Sequence, residues 1–243
     1  MLLNCDLGES YGNWTMGNDA AVMPYIDQAS IACGFHAGDP LCIRRTLALA
    51  AEHGVTVGAH PAYPDLVGFG RRSMALSTDE IIASVHYQVA ALDGMAQSLG
   101  LSLQYIKPHG ALYHDVMANS TVRTAMLQAV ASYHRPLALI VQASAQANTL
   151  REEAAAAEVT LWFEAFADRC YVDDGNLLPR SQPLAVHSRE RMLAQVAQLQ
   201  DEQAVTTISG NTLHLQFDTL CVHGDNPEGV ASIAAIRALL SDG

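Results

Sequence analysis

One three-part unit recurs along this chain: a short apolar or β-branched run, a cluster of polar residues, then a stretch whose apolar positions follow helical spacing. The runs near 2–6, 28–33, 55–59, 103–107, 137–142, 160–165 and 218–223 predict strands. Helices fit near 39–53, 77–100, 119–134, 144–157, 188–202 and 226–241. Several helix starts are marked. Asp39-Pro40 and Asn226-Pro227 each place an N-cap residue before a proline, and Ser77-Thr78-Asp79-Glu80 is a capping box. Segment 205–217, with Ser209-Gly210-Asn211 between two alternating runs, reads as a hairpin added to this frame. Strands separated by helices pair in parallel, with the helices packed outside the sheet. Seven such strands either close into a barrel or lie as an open doubly wound sheet. The expected fold is α/β, an irregular seven-stranded TIM-like β/α barrel forming a single domain over 1–243. The length suits one domain, and half of its residues are hydrophobic, enough for a large core.

Charge and cysteine usage narrow the function classes. A formal net charge of -12 repels phosphate backbones and anionic headgroups, so neither nucleic acid nor membrane is an expected partner. No basic-then-apolar leader opens the sequence, and no apolar run approaches a membrane span. Cys5, Cys33, Cys42, Cys170 and Cys221 are odd in number and never spaced C-x-x-C, which reads as reduced thiols in a cytoplasmic protein. Lys107 is the only lysine among thirteen basic residues, so a guanidinium has not replaced it there as it has everywhere else.

In a parallel β/α structure the C-terminal ends of all strands share one face, and that face carries the active site. The residues just past each predicted strand are chemically rich: Asp6 and Glu9, then His36 and Asp39, then His60, then Lys107 and His109, then Glu164, Asp168 and Arg169, then His223 and Asp225. Only the fifth strand, ending near Gln142, adds nothing ionisable. A single histidine after a strand is usually a hydrogen-bonded structural residue, and His53, His86, His114, His134, His187 and His214 are read that way. Four strands delivering His36, His60, His109 and His223 to one face point instead to chemistry. Carboxylates with imidazoles either run metal-free acid–base catalysis or hold a divalent cation that activates water. The reading adopted is the metal-free one, with Asp6, His36 and His60 as candidate ligands in the alternative. No G-x-x-x-x-G-K-[ST] loop occurs, which excludes a self-contained P-loop nucleotide site.

Across these residues the chain resembles the LamB/YcsF family, identified with the A component of bacterial 5-oxoprolinase. The matching segments include Asn4-Cys5-Asp6-Leu7-Gly8-Glu9, Ile31-Ala32-Cys33-Gly34-Phe35-His36-Ala37-Gly38-Asp39, Gly58-Ala59-His60-Pro61 and Gly68-Phe69-Gly70-Arg71-Arg72. Further along come Lys107-Pro108-His109-Gly110, Glu164 to Arg169, Leu178-Pro179-Arg180-Ser181-Gln182 and Val222-His223-Gly224-Asp225. Cys170 and Leu184 depart from the pattern; a small residue and a glycine are usual there. The resemblance implies a barrel similar to the glycoside hydrolase/deacetylase superfamily and ATP-coupled opening of 5-oxo-L-proline to L-glutamate. It implies partner subunits B and C, and ATP, accompanied by Mg2+, as co-substrate. It places Asp6, Glu9, His36, His60, Lys107, His109 and His223 in catalysis. Asp39, Arg71, Arg72, Glu164, Asp168, Arg169, Arg180 and Asp225 fall around substrate or phosphate, with Lys107 as an oxyanion donor. Two other readings remain: a metal-dependent amide hydrolase acting alone, and a non-catalytic subunit that presents the substrate.

Overall fold

A computed structural model describes residues 1–241. Seven parallel strands close on themselves in sequence order, β1 (Leu2–Leu7), β2 (Gln28–Ala32), β3 (Thr56–His60), β4 (Tyr105–Ile106), β5 (Ala138–Gln142), β6 (Leu161–Phe166) and β9 (Thr219–His223). The last pairs with both β6 and β1, so no edge of the sheet is left open. Between β6 and β9 the chain forms α7 (Arg189–Glu202) and then the predicted hairpin, β7 (Ala204–Thr206) with β8 (Thr212–His214), a separate antiparallel pair. Gly210 takes the left-handed φ of +83° that its turn requires.

The remaining helices are α1 (Asp19–Val22), α2 (Pro40–His53), α3 (Thr78–Gln97), α4 (Gly110–Ala118), α5 (Ser120–Ala131), α6 (Ala147–Ala156) and α8 (Pro227–Ser241). The predicted start signals hold. Asp39 accepts hydrogen bonds from the Leu41 and Cys42 amides, and Ser77 and Glu80 form the reciprocal capping box. In α2, Ile43, Leu47 and Ala50 form one buried stripe against the sheet. The short helices α1 and α4 go beyond the sequence pattern. Helix α4 follows strand β4 almost at once, where the sequence pattern places the next helix only from residue 119.

Side-chain alternation explains the architecture. Leu3, Cys5 and Leu7, Val57 and Ala59, Leu139 and Val141, and Leu220 and Val222 belong to the main apolar cluster between barrel and helices. The other face of each strand points inward. Tyr105, Ala138 and Ile140 pack with Trp162 as one small apolar plug. Above it the interior turns polar: Asn4 donates to Thr219 Oγ1 at 2.9 Å, and Thr219 donates to Gln28 Oε1 at 2.7 Å. The outer face of the strands is therefore apolar, while the inner face is apolar at the plug and polar above it.

Gly58 on β3 faces Tyr105 on β4, its register partner, and a β-carbon there would overlap the aromatic ring carbons. Both residues sit in a closed interior with no room to yield. Gly58→Ala is therefore expected to destabilise the barrel by about 1–3 kcal/mol, the usual cost of overpacking, measured by urea denaturation.

Candidate active site

A cavity of about 410 Å³ opens at the C-terminal ends of the strands. Asp6, Glu9, His60, Lys107, His109, Glu164, Arg169, His223 and Asp225 line it, joined by Arg71 and Arg180 from the connecting loops. Most positions singled out from sequence therefore share one cavity. The fifth strand contributes nothing to it, as the sequence pattern implies.

At the bottom lies the single lysine. Lys107 is 2% exposed, and its Nζ sits 2.8 Å from Asp6 Oδ1, 2.9 Å from Glu164 Oε2 and 3.2 Å from Asn4 Oδ1. Cys221 Sγ is a fourth neighbour at 3.2 Å. Three N–H donors thus face acceptors of the protein itself. Burial works to lower the lysine pKa, but Asp6, Cys221 and Glu164 more than reverse it, and the group is held well above its ordinary value. Burial works the opposite way on Asp6, and the His60 ring and the Lys107 ammonium bring that carboxyl below the ordinary range. Glu164 is raised, chiefly because it is buried.

Above the lysine three imidazoles gather around Glu9. His36 Nε2 lies 3.2 Å from Glu9 Oε1, His109 Nδ1 lies 3.4 Å from the same oxygen, and His60 Nε2 lies 3.5 Å from Asp6 Oδ2. His60 Nδ1 donates to the Lys107 carbonyl at 2.7 Å, and His109 Nε2 donates to the Phe69 carbonyl at 2.9 Å. Burial lowers the pKa of all three rings, His60 to about 3, so each is neutral near pH 7. Burial also raises Glu9 well above the usual carboxylate value.

The loop before α3 holds this cluster in place by close approach. Phe69 adopts a left-handed φ of +53°, uncommon for a bulky residue, and this turns its carbonyl onto His109. A β-carbon on Gly70 would come within 2.8 Å of the His109 ring and 2.9 Å of His36 Cβ. The absence of a side chain at Gly70 thus lets loop backbone reach the imidazoles.

On the opposite wall, His223 Nδ1 donates to Asp168 Oδ1 at 3.0 Å, which leaves Nε2 outside that pair. Asp168 is fully buried and also accepts from Asn226 Nδ2 at 3.1 Å. Burial works to raise the Asp168 pKa, but His223 and Asn226 hold it down at about 2.

The model of the LamB/YcsF family matches residues 1–243. The chain belongs to this family. The A component of 5-oxoprolinase from Pseudomonas fluorescens (strain Pf0-1) is 51% identical over 243 residues, covering 100% of this chain and 97% of the relative. Its counterpart from Chromohalobacter salexigens is 53% identical over 237 residues, covering 97% of this chain and 95% of the relative. Among solved structures, a lactam utilization protein from Thermus thermophilus superposes with a TM-score of 0.90 at 39% identity, covering 100% of this chain and 96% of that one.

Within this LamB/YcsF barrel the remaining expected residues divide. Arg71 pairs with Asp225, and Arg180 Nη2 lies 3.5 Å from the same carboxylate, which puts two guanidiniums at the cavity rim. Arg169 is buried on the cavity wall, and its Nε and Nη2 donate to the carbonyls of Ala185 and Leu178, which ties down the loop after β6. Asp39 and Arg72 do not reach the cavity. Asp39 caps α2 and receives the Gly12 amide, and the largely exposed Arg72 turns onto Asp65. His36 stands one layer back, behind Glu9. Conversely, His114 and Tyr113 line the cavity from α4, and Ser73 joins them. The apolar spacing of Ala111, Leu112, Tyr113 and Val116 was the available signal for that helix. Leu184, where the family usually has glycine, takes a left-handed φ of +68°, a conformation glycine adopts at no steric cost.

Two outcomes follow. Lys107→Met strands Asp6 and Glu164 in the barrel without their cation and is expected to cost roughly 3–5 kcal/mol, read by urea denaturation at pH 7. Asp168, whose pKa is depressed to about 2 in the folded chain, favours folding fully above its ordinary value of 3.8. That contribution, about 2 kcal/mol, fades as pH falls from about 4 to about 2. Stability measured across this window should fall less steeply in Asp168→Asn than in wild type.

Proposed function

We propose that this chain is the ring-opening subunit of an ATP-dependent 5-oxoprolinase. The observation that carries this reading is the match, end to end and at about half identity, to proteins named as the A component of 5-oxoprolinase. The geometry agrees with the chemistry such a reaction demands. A γ-lactam is an unstrained amide with a poor leaving nitrogen. Transfer of a phosphoryl group from ATP to the lactam oxygen makes the ring carbon electrophilic. Water then adds to that carbon, the ring C–N bond breaks with its electron pair going to nitrogen, and nitrogen takes up a proton. The resulting γ-acyl phosphate is hydrolysed by a second water to glutamate and inorganic phosphate.

Each demand has a candidate group. Arg71 and Arg180 at the rim suit the substrate carboxylate or the phosphoryl oxygens, since guanidinium forks pair with such anions. Glu9, His60 and His109 mark the part of the cavity wall where the attacking water is to be activated. His223, oriented by Asp168 through Nδ1, takes a proton at Nε2 and passes it to the departing nitrogen. The chain carries no P-loop motif, so phosphoryl transfer falls to partner subunits, the B and C subunits of such an enzyme, with Mg2+ accompanying the ATP. The free cysteines suit the reducing cytoplasm. No helix among the described residues is long and apolar enough to cross a membrane.

The test is reconstitution. This chain alone should turn over negligible 5-oxo-L-proline with ATP, and added B and C subunits should restore glutamate formation. In that complex His223→Gln should lower turnover about a hundredfold or more, the scale of a lost general acid, while a thermal melt shows the chain still folded at the assay temperature. Full turnover by the chain alone, or a wild-type rate in the variant, would overturn the assignment.

A further inference from the structure

Three possible ligand atoms, His60 Nε2, His109 Nδ1 and Glu9 Oε1, converge on one spot of the cavity wall. A neutral imidazole carries one N–H. His60 commits its proton to the Lys107 carbonyl and His109 commits its own to the Phe69 carbonyl. What remains is His60 Nε2 and His109 Nδ1, two bare lone pairs 2.9 Å apart. Asp6 Oδ2, another acceptor, lies 3.5 Å from the same His60 nitrogen. Buried acceptors facing one another at such distances repel, and the arrangement is favourable only around a positive charge.

Glu9 Oε1 supplies the third corner, 3.4 Å from His109 Nδ1 and 4.0 Å from His60 Nε2. The circumradius of a triangle with sides 2.9, 3.4 and 4.0 Å is about 2.0 Å, which matches zinc–imidazole and zinc–carboxylate bond lengths of about 2.0–2.2 Å. A proton shared by the two rings would bridge only the shortest side. A metal uses all three corners.

We propose that Glu9, His60 and His109 form a binding site for a divalent cation of the zinc type. His36 is a positioning residue and not a ligand. Its ring stacks on His109 with centroids 3.7 Å apart and planes 7° from parallel, so its in-plane lone pair cannot meet a point lying in the His109 plane. Instead its Nε2 donates to Glu9 Oε1. The carbonyls of Lys107 and Phe69 fix the tautomers of the two ligand rings, as partners behind metal-binding histidines do. The other convergent group, Asp6 with Cys221 and His223, is no rival, because the Lys107 ammonium already lies against Asp6 and Cys221. Of the ligands expected from sequence, His60 stays, while Glu9 and His109 take the places of Asp6 and His36. Three protein donors on a cavity wall leave a position for water or substrate, the donor number of catalytic zinc. The site stands on donor geometry alone, independent of the oxoproline reaction.

The full chain, stripped with chelator and dialysed against Zn2+ or Mg2+, provides the test, with bound metal counted by plasma mass spectrometry. One zinc per chain is expected, with a higher melting temperature in zinc and none of either effect in magnesium. Glu9→Gln and His109→Gln should each weaken zinc binding at least about a hundredfold, and His36→Gln about tenfold, the range for ligands and their supports. Absence of stoichiometric uptake would overturn the site, as would variants that melt like wild type and bind zinc equally well. Should the variants fail to fold, anomalous scattering from zinc-soaked wild-type crystals decides. A peak about 2 Å from the three named atoms supports the site, and a peak elsewhere or none rejects it. Zinc uptake and oxoproline turnover are separate readouts, so failure of one leaves the other standing.

Discussion

An ammonium group inside a closed barrel has to be surrounded by acceptors before the strands can meet. Lys107 reaches that position from the end of the fourth strand, and Asp6, Glu164, Asn4 and Cys221 converge on it from three others. This one buried group links strands that lie far apart in sequence and makes an apolar interior at that level unworkable. Two carboxylates against one ammonium leave the floor net negative. Asp6 carries that negative character upward, since its second oxygen faces His60. The imidazoles and the lysine are therefore parts of one electrostatic column, with Asp6 as the joint.

The column stays in register because loop backbone is packed against it. Phe69, in a conformation unfavourable for its side chain, presents its carbonyl to His109, and Gly110 brings the start of α4 within reach of the Gly70 carbonyl. A β-carbon at Gly110 would come within 2.6 Å of that oxygen. Strain at these few residues is offset by the rigid frame, a pattern typical of sites that must hold geometry before a ligand arrives. On the far wall, Asp168 plays the same part for His223 by a single buried hydrogen-bonded pair.

Much of this was readable from sequence because strand ends in a parallel barrel are positional. Asp6, His60, Lys107, His109 and His223 fall where alternation and strand order put them, and the hairpin near 205–217 is marked by its turn. What escaped reading lay between elements. Asp39 and Arg72 sit in the matched segments but serve a helix cap and a surface ion pair, because side-chain direction in loops follows local hydrogen bonds and not strand parity. His114 escaped because α4 begins without the linker that usually separates strand from helix. The fates of the four strand-end histidines also needed coordinates. Only ring planes and proton commitments distinguish the stacked His36 from His60 and His109.

The solitary lysine has a consequence at the other end of the molecule, on its outside. With Lys107 sealed in the barrel, the described surface offers no side-chain primary amine, so acylating enzymes and amine-directed labels find no ε-amino group on the folded chain. The cationic side chains on the exterior are those of arginine and histidine alone. Modification of Lys107 by an amine reagent too large to enter the cavity would then register only those chains whose barrel has come open, which makes that one nitrogen a built-in gauge of how often it does.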